Sequence, residues 1–208
     1  MASSAAFWNR IAKFYSKRPV TDEAAYRKKL EVTREYFQPD MEVLEFGCGT
    51  GSTAIAQSPF VSHILAIDIS PKMLEIAQGK AEKQGITNVT FNCATIDEFK
   101  SADERFDVAM GHSILHLLDD RNAVIQKVYR MLKPGGVFVT STSCLGDLTP
   151  LIKYILPIGQ FLGLLPLVRF FTDKELVASI EQAGFTIEHK WQPSKKQAVF
   201  IVALKPAR

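Results

Sequence analysis

Residues 41–54, Met41-Glu42-Val43-Leu44-Glu45-Phe46-Gly47-Cys48-Gly49-Thr50-Gly51-Ser52-Thr53-Ala54, read as a buried strand, a glycine turn and the first turn of a helix. Val43, Leu44 and Phe46 bring the β-branched and aromatic bulk that suits a pleated sheet. Gly47, Gly49 and Gly51 remove side chains where the backbone must turn sharply and let a ligand approach. Two kinds of ligand fit such a turn. A dinucleotide site uses Gly-x-Gly-x-x-Gly/Ala, with a pyrophosphate at the helix N-terminus; here the third glycine comes one residue early and Ser52 stands in its place. Glu45, two positions before the first glycine, also argues against a phosphate, because a carboxylate there repels an anion and attracts a cation. The next apolar run, residues 63–68, ends in Asp68, 21 residues after Gly47. A carboxylate at that separation can accept hydrogen bonds from both hydroxyls of a ribose. Acid, glycine turn and second acid together describe a nucleoside that carries positive charge and no phosphate.

Glu45-Phe46-Gly47-Cys48-Gly49-Thr50-Gly51 and Asp68-Ile69-Ser70 match without a gap the acid-x-Gly-x-Gly-x-Gly motif and ribose-binding acid of the class I S-adenosylmethionine-dependent methyltransferases, which this chain resembles. The resemblance implies an α/β, doubly wound, Rossmann-like sheet of seven strands, mostly parallel with an antiparallel last strand. It implies S-adenosylmethionine as cofactor, S-adenosylhomocysteine as product and no metal. Glu45, Gly47, Cys48, Gly49, Gly51, Asp68, Ile69 and Met73 take the cofactor-binding positions. Thr95 falls where the family usually has an aspartate for the adenine amine, with Asp97 as a substitute acceptor, and Ile96 packs the ring. The resemblance covers residues 40–145 closely and the C-terminal helix and hairpin more loosely.

At 208 residues with 47% apolar content, the chain can bury a full core as one domain with extensions. A net charge of +3, with Arg27-Lys28-Lys29 and Lys195-Lys196 among its short basic runs, gives no nucleic-acid stripe, and such runs read as solvated helix faces. Cys48, Cys93 and Cys144 share no metal-ligand spacing, and their odd number suggests a reducing compartment. Residues 1–10 carry no basic segment followed by an apolar one, so no signal peptide is expected, and a cytoplasmic location is the default.

Phe7, Trp8, Ile11, Phe14 and Tyr15 lie at helical spacing, predicting an amphipathic helix over residues 4–18. With a second helix over 22–37 it forms an N-terminal helical segment, residues 1–39, ahead of a domain at 40–208. In the family such a helix often lies over the cofactor as a lid, which gives Tyr15 reach to the methionine carboxylate; covering the sheet is the simpler reading. Ser70-Pro71 is an N-cap followed by proline at the first helical position, and Gly85 stops that helix. Strands are expected at 88–93, 105–110 and 137–141, a helix at 121–133, and a final hairpin at 185–191 and 198–204. Thr172-Asp173-Lys174-Glu175 has capping-box form.

Gly111-His112-Ser113-Ile114-Leu115-His116-Leu117-Leu118-Asp119-Asp120 follows the fourth strand and resembles the small-molecule branch, including the quinone-biosynthesis methyltransferases. The Asn/Asp-Pro-Pro-aromatic motif of the family's base N-methyltransferases is absent, which argues against a nucleic-acid substrate. If the acceptor atom is oxygen its proton must leave, and His112, with an ordinary imidazole pKa near neutrality, is the candidate base; His116, four residues on, is the second. Residues 148–171 form an apolar insertion. Lys153, Gln160, three prolines and two glycines divide it into pieces too short for the roughly 20-residue apolar helix that spans a bilayer. A cap over a lipophilic acceptor, a peripheral membrane or partner contact, and extra core stay open for it. The expected function is methyl transfer to a small lipophilic acceptor. The alternatives are a non-catalytic S-adenosylmethionine-binding regulator or scaffold and, further off, an NAD-dependent oxidoreductase; oligomeric state is not set by the sequence.

Overall fold

A computed structural model describes residues 2–147, 166–194 and 197–207. The elements run α1 (Ala2–Lys17), α2 (Glu23–Arg34), β1 (Glu42–Phe46), α3 (Ser52–Gln57), β2 (His63–Asp68), α4 (Pro71–Lys83), β3 (Val89–Cys93), β4 (Phe106–His112), α5 (Arg121–Met131), β5 (Leu132–Thr142), α6 (Asp173–Gln182), β6 (Thr186–Trp191) and β7 (Val199–Leu204). The seven strands form one sheet in the order β3-β2-β1-β4-β5-β7-β6. β1 pairs in parallel with β2 and β4, β2 with β3, and β4 with β5, while β7 runs antiparallel to both of its neighbours, β5 and β6. The doubly wound sheet expected from the sequence is therefore present, and its strand order reverses between β1 and β4, where open α/β sheets bind ligands.

Alternation along β1 sorts the two layers. Leu44 and Phe46 point into the core shared with Val124, Ile125 and Val128 of α5 and Leu176 and Ile180 of α6. Val43 points to the other face, among Ala54, Leu74 and Phe37. Glu45 shares the parity of Val43, so a carboxyl group is carried into an apolar layer. Polar caps fix the helices that frame this end of the sheet. Ser70 Oγ accepts from Met73 N at 3.2 Å, and Thr172 and Glu175 complete the capping box through Glu175 N to Thr172 Oγ1 (3.2 Å) and Thr172 N to Glu175 Oε2 (2.7 Å).

Several boundaries differ from those read in the sequence. α5 ends at Met131 rather than 133, because strand pairing begins at Leu132 opposite Phe106. β5 runs through Pro134-Gly135-Gly136, with a break in register between Leu132 and Val137. The end of β7 holds that break: Gly135 N donates to Lys205 O at 3.1 Å, and Lys205 N to Gly136 O at 2.8 Å. β4 extends to His112, because Thr140 and Ser141 continue opposite Gly111 and His112. Of the apolar insertion, residues 148–165 lie outside the described residues. In the remainder, Phe171 is fully buried under Arg121, whose guanidinium lies 4.1 Å from the ring centroid. No helix among the described residues is long and apolar enough to cross a membrane.

Gly111 shows how tightly the two central strands meet. A Cβ placed there would lie 2.3 Å from Phe46 Cζ, and the Phe46 ring is itself buried and stacked on Phe138 with centroids 6.3 Å apart. Gly111→Ala should lower stability by about 1–3 kcal/mol in urea unfolding through overpacking. Combining it with Phe46→Leu, which removes the clashing ring atoms, should cost less than the sum of the two single changes.

Candidate functional site

The carboxyl ends of β1, β2, β4 and β5 open onto two cavities of about 330 Å³ and 700 Å³ that share Tyr15, Gly47, Gly49, His112 and Ser113. Gly47, Gly49 and Gly51 take φ values of +67°, +54° and +71°, a region that L side chains adopt only under strain. The turn is tied to the neighbouring strand twice. Cys48 N donates to Ile67 O at 3.0 Å, and Gly49 N donates to Asp68 Oδ2 at 2.9 Å. Asp68 Oδ1 accepts from Ser70 N at 2.9 Å, so the acid that ends β2 braces both the glycine turn and the cap of α4. A carboxylate oxygen accepts more than one hydrogen bond, so both oxygens keep capacity for a ribose.

The three glycines do different things. Nothing lies within 4 Å of where a Cβ of Gly49 would stand, so that position opens into the site. A Cβ at Gly47 would meet Ile114 Cγ1 at 2.7 Å, and one at Gly51 would meet Ala77 at 2.8 Å and the Phe91 ring at 2.9 Å. Gly51 lines neither cavity, and its lack of a side chain serves the packing of α3 against α4 and β3.

Glu45 is 3% exposed, and its Oε2 has no hydrogen-bond partner among the described residues. Burial pushes its carboxyl up to about 8, opposed by the N–H of Ala54 and assisted by the charge of Asp68. Burial likewise raises Asp68, with the N–H groups of Ser70, Gly49 and Ile69 pulling the other way. The Cys48 thiol, buried and beside both acids, is also raised. An orphaned carboxyl oxygen next to an open glycine is the pattern a cationic ligand would complete, so the residues present fit a positively charged nucleoside.

The smaller cavity collects most of the remaining positions read from the sequence. Ile69, Met73, Thr95 and Ile96 line it, with Asp97, Leu118 and, from the end of the insertion, Pro166 and Leu167. Thr95 Oγ1 already accepts from Glu98 N at 3.0 Å and contacts Glu98 Oε2 at 3.2 Å, whereas Asp97 reaches the same cavity from an exposed position. Cys48 lines the larger cavity instead. Ser4, Trp8 and Tyr15 of α1 complete the smaller one; Tyr15 is 43% exposed and meets Trp8 edge to face at 6.1 Å. Asn9 holds α1 in place, its Oδ1 accepting from Ser70 Oγ at 2.7 Å and Lys72 N at 3.2 Å.

The two histidines part company. His112 ends β4 and lines both cavities. Burial and the charge of Lys29 push it down to about 4, well below the near-neutral value expected of a base, so it stays neutral and gives little drive for taking a proton. His116 sits in a 3₁₀ turn, Leu115–Leu117, shares no helical face with His112 and lines neither cavity. Its backbone carbonyl accepts from Arg169 N at 2.8 Å, and burial lowers it also to about 4. Lys29 and Ser141, which the sequence did not single out, face the larger cavity with Lys29 Nζ donating to Ser141 Oγ at 2.8 Å. The only available signal was helical spacing, since Tyr26, Lys29, Leu30 and Thr33 share one face of α2.

Comparison with known proteins agrees with this geometry. The profile of a family described as "Methyltransferase domain" matches residues 37–197. A malonyl-[acyl-carrier protein] O-methyltransferase of Priestia megaterium is 28% identical over 93% of this chain and 72% of its own length. A ubiquinone biosynthesis O-methyltransferase of Cereibacter sphaeroides is 26% identical over 68% and 60%. The crystal structure of an S-adenosylmethionine-dependent methyltransferase from Mesorhizobium loti superposes with a TM-score of 0.73 at 21% identity, covering 87% of this chain and 98% of that one, which establishes likeness of fold. The chain spans between 38% and 72% of the length of the curated relatives it matches.

The Glu45 carboxyl sets a pH dependence whose sign is fixed. The folded chain keeps this proton to about 8, whereas the unfolded chain loses it near the ordinary 4.5, so between these values the folded state binds more protons and stability falls as pH rises. The histidines, lowered from 6.5 to about 4, act oppositely but only below 6.5. Urea unfolding between pH 6.5 and pH 8 should therefore lose stability by about 1 kcal/mol per pH unit at most. Glu45→Gln should flatten that slope and be the more stable protein at the alkaline end.

Proposed function

The chain belongs to the methyltransferase-domain family, and from that premise we propose that it transfers a methyl group from S-adenosylmethionine to a small, lipophilic acceptor. The observation that carries the reading is the glycine turn held between a buried and a half-buried acid, the buried one with an oxygen left unpartnered. Asp68 would hold the ribose hydroxyls, Ile69, Met73 and Ile96 the faces of the adenine, and Asp97 in place of Thr95 its amine. Glu45 would balance the positive charge. When bound, the cofactor supplies a methyl group on a sulfonium, an electrophile that needs no metal.

The residues around it bind, orient and exclude water. α1, pinned through Asn9, is the lid of the site, and Tyr15 borders both cavities where the two ligands would meet. His112 and Ser113 lie on the same border and would position the acceptor, with His112 as hydrogen-bond partner rather than strong base. Positioning in a dry site can supply about 7–11 kcal/mol of a transfer barrier in favourable cases. Leu117, Leu118, Pro166 and Leu167 give the smaller cavity apolar walls beside the adenine positions. Two relatives are named as O-methyltransferases, which favours oxygen as the acceptor atom.

Calorimetric titration with S-adenosylhomocysteine tests the cofactor assignment directly. The wild-type chain should bind it, and Asp68→Ala should weaken binding about tenfold or more, the cost of losing hydrogen bonds to a charged group. Unchanged affinity in Asp68→Ala would remove this acid from the cofactor site, and lack of wild-type binding would remove the reading itself.

A further inference from the structure

We propose that Lys29 and Ser141 form a seat for an anionic oxygen of the acceptor, so that the acceptor is an acidic hydroxyl or carboxyl compound bound as its oxyanion. This rests on the methyltransferase reading and narrows its substrate class.

The seat follows from where α2 crosses the end of the sheet. Tyr26 and Lys29, one helical turn apart, both face the larger cavity. Lys29 is half-buried and its Nζ donates to Ser141 Oγ at 2.8 Å, leaving two of its three ammonium hydrogens for other partners. Among the described residues it forms no ion pair. Asp22 acts on it favourably but only through space; its own oxygens accept from Ala25 N at 2.9 Å and Gln197 Nε2 at 2.7 Å. Burial lowers the proton affinity of Lys29, as expected for a cation without a counter-ion. An acceptor oxyanion would supply that counter-ion.

The location is right for transfer. Ser141 is 3% exposed, lies opposite His112 in the β4–β5 ladder, and its carbonyl accepts from Ser113 N at 2.7 Å. The seat therefore adjoins His112 and Ser113, where the two cavities join. Glu45 and Lys29 both line the larger cavity, whereas Asp68 lines the smaller one. Of the other titratable groups facing the larger cavity, Lys80 is engaged with Thr50 and Ser52, and Tyr26 Oη is 3.5 Å from Thr53 Oγ1. Tyr15, Arg18, Asp22, Glu45, Cys48 and His112 complete the set, and Glu45, whose carboxyl keeps its proton to about 8, does not set a full negative charge beside the seat at neutral pH.

The arrangement removes the need for a strong base. The acceptor loses its proton to solvent on binding, because a cation within about 4–6 Å lowers an acid's pKa by about 1–3 units. Its oxyanion then forms the new O–C bond while the S–C bond breaks and the electron pair stays on sulfur. Neutral His112 can orient the oxygen without accepting a proton.

The test uses 4-nitrophenol, whose anion is coloured. Titrated by absorbance in the presence of saturating S-adenosylhomocysteine, the wild-type protein should keep the bound phenolate band about one pH unit below free nitrophenol. Lys29→Met should lose that shift, Lys29→Arg should retain most of it, and Ser141→Ala should reduce it, with calorimetric affinity for S-adenosylhomocysteine within about twofold of wild type in all three. Absence of a shifted phenolate band in the wild type overturns the proposal. So does a Lys29→Met protein that keeps the band but binds S-adenosylhomocysteine tenfold more weakly, which would assign Lys29 to the cofactor carboxylate. A wild-type chain that shifts nitrophenol without S-adenosylhomocysteine and does not bind that nucleoside would leave the seat standing and overturn the methyltransferase reading.

Discussion

Withdrawal of two carboxyl groups from solvent, one fully and one partly, at the ends of adjacent parallel strands is the constraint on which the rest of the structure depends. Glu45 and Asp68 are carried inward by strand alternation and by the pairing of β1 with β2. Desolvating them is unfavourable, and the fold answers differently at each. Asp68 is compensated by the backbone N–H groups of Gly49 and Ser70, which is why the glycine turn and the start of α4 hold fixed positions relative to each other. Glu45 is left with an unpartnered oxygen and keeps a proton instead. One acid thus serves construction, and the other holds a deficit that a cation can fill.

The remaining architecture aims other groups at this pair. Parallel pairing sends the ends of β4 and β5 to the same edge of the sheet, so His112 and Ser141 arrive side by side without any local motif joining them. The close contact of Gly111 with Phe46 fixes the depth at which β4 sits beside β1. Helix α2 then places Lys29 against Ser141, and α1 closes the opposite side through Asn9. Local conformation makes the Asp68 side of the site, whereas long-range packing makes the Lys29–Ser141 side.

That division explains what could be read in the sequence. The glycine turn, Asp68, the Ser70 cap and the Thr172 capping box are short-range patterns whose spacing carries their geometry, and each is found where its residues indicated. The sheet was legible because apolar runs alternate with helical ones at βαβ spacing. Residues whose role depends on the partner across the fold were not legible. Gly51 carries the motif yet is required by Ala77 and Phe91. His116 lies four residues from His112, but a strand end and a 3₁₀ turn separate them. Lys29, in a run read as a solvated helix face, turns inward, while its neighbour Lys28 lies over the Trp191 ring at 4.5 Å. A charged run on a helix has an inner edge, and only packing reveals which residue occupies it.

The position of β7 bears on how the chain reaches this state. Among the described residues, β6 has no partner in the sheet except β7, and the outer edge of β5 is covered only by β7. During synthesis, then, β6 emerges with nothing to pair against, and the Val137–Thr142 edge, whose end carries Ser141, stays open until residues 199–204 follow. The last two strands must add as a single hairpin unit, and closing β5 onto β7 bridges a long stretch of chain, which makes it a slow, non-local step. Until it is complete, the apolar edge of β5 is a template for pairing with other chains, so a nascent polypeptide stalled before β7 is exposed to aggregation by the strand that later supports the acceptor side of the site.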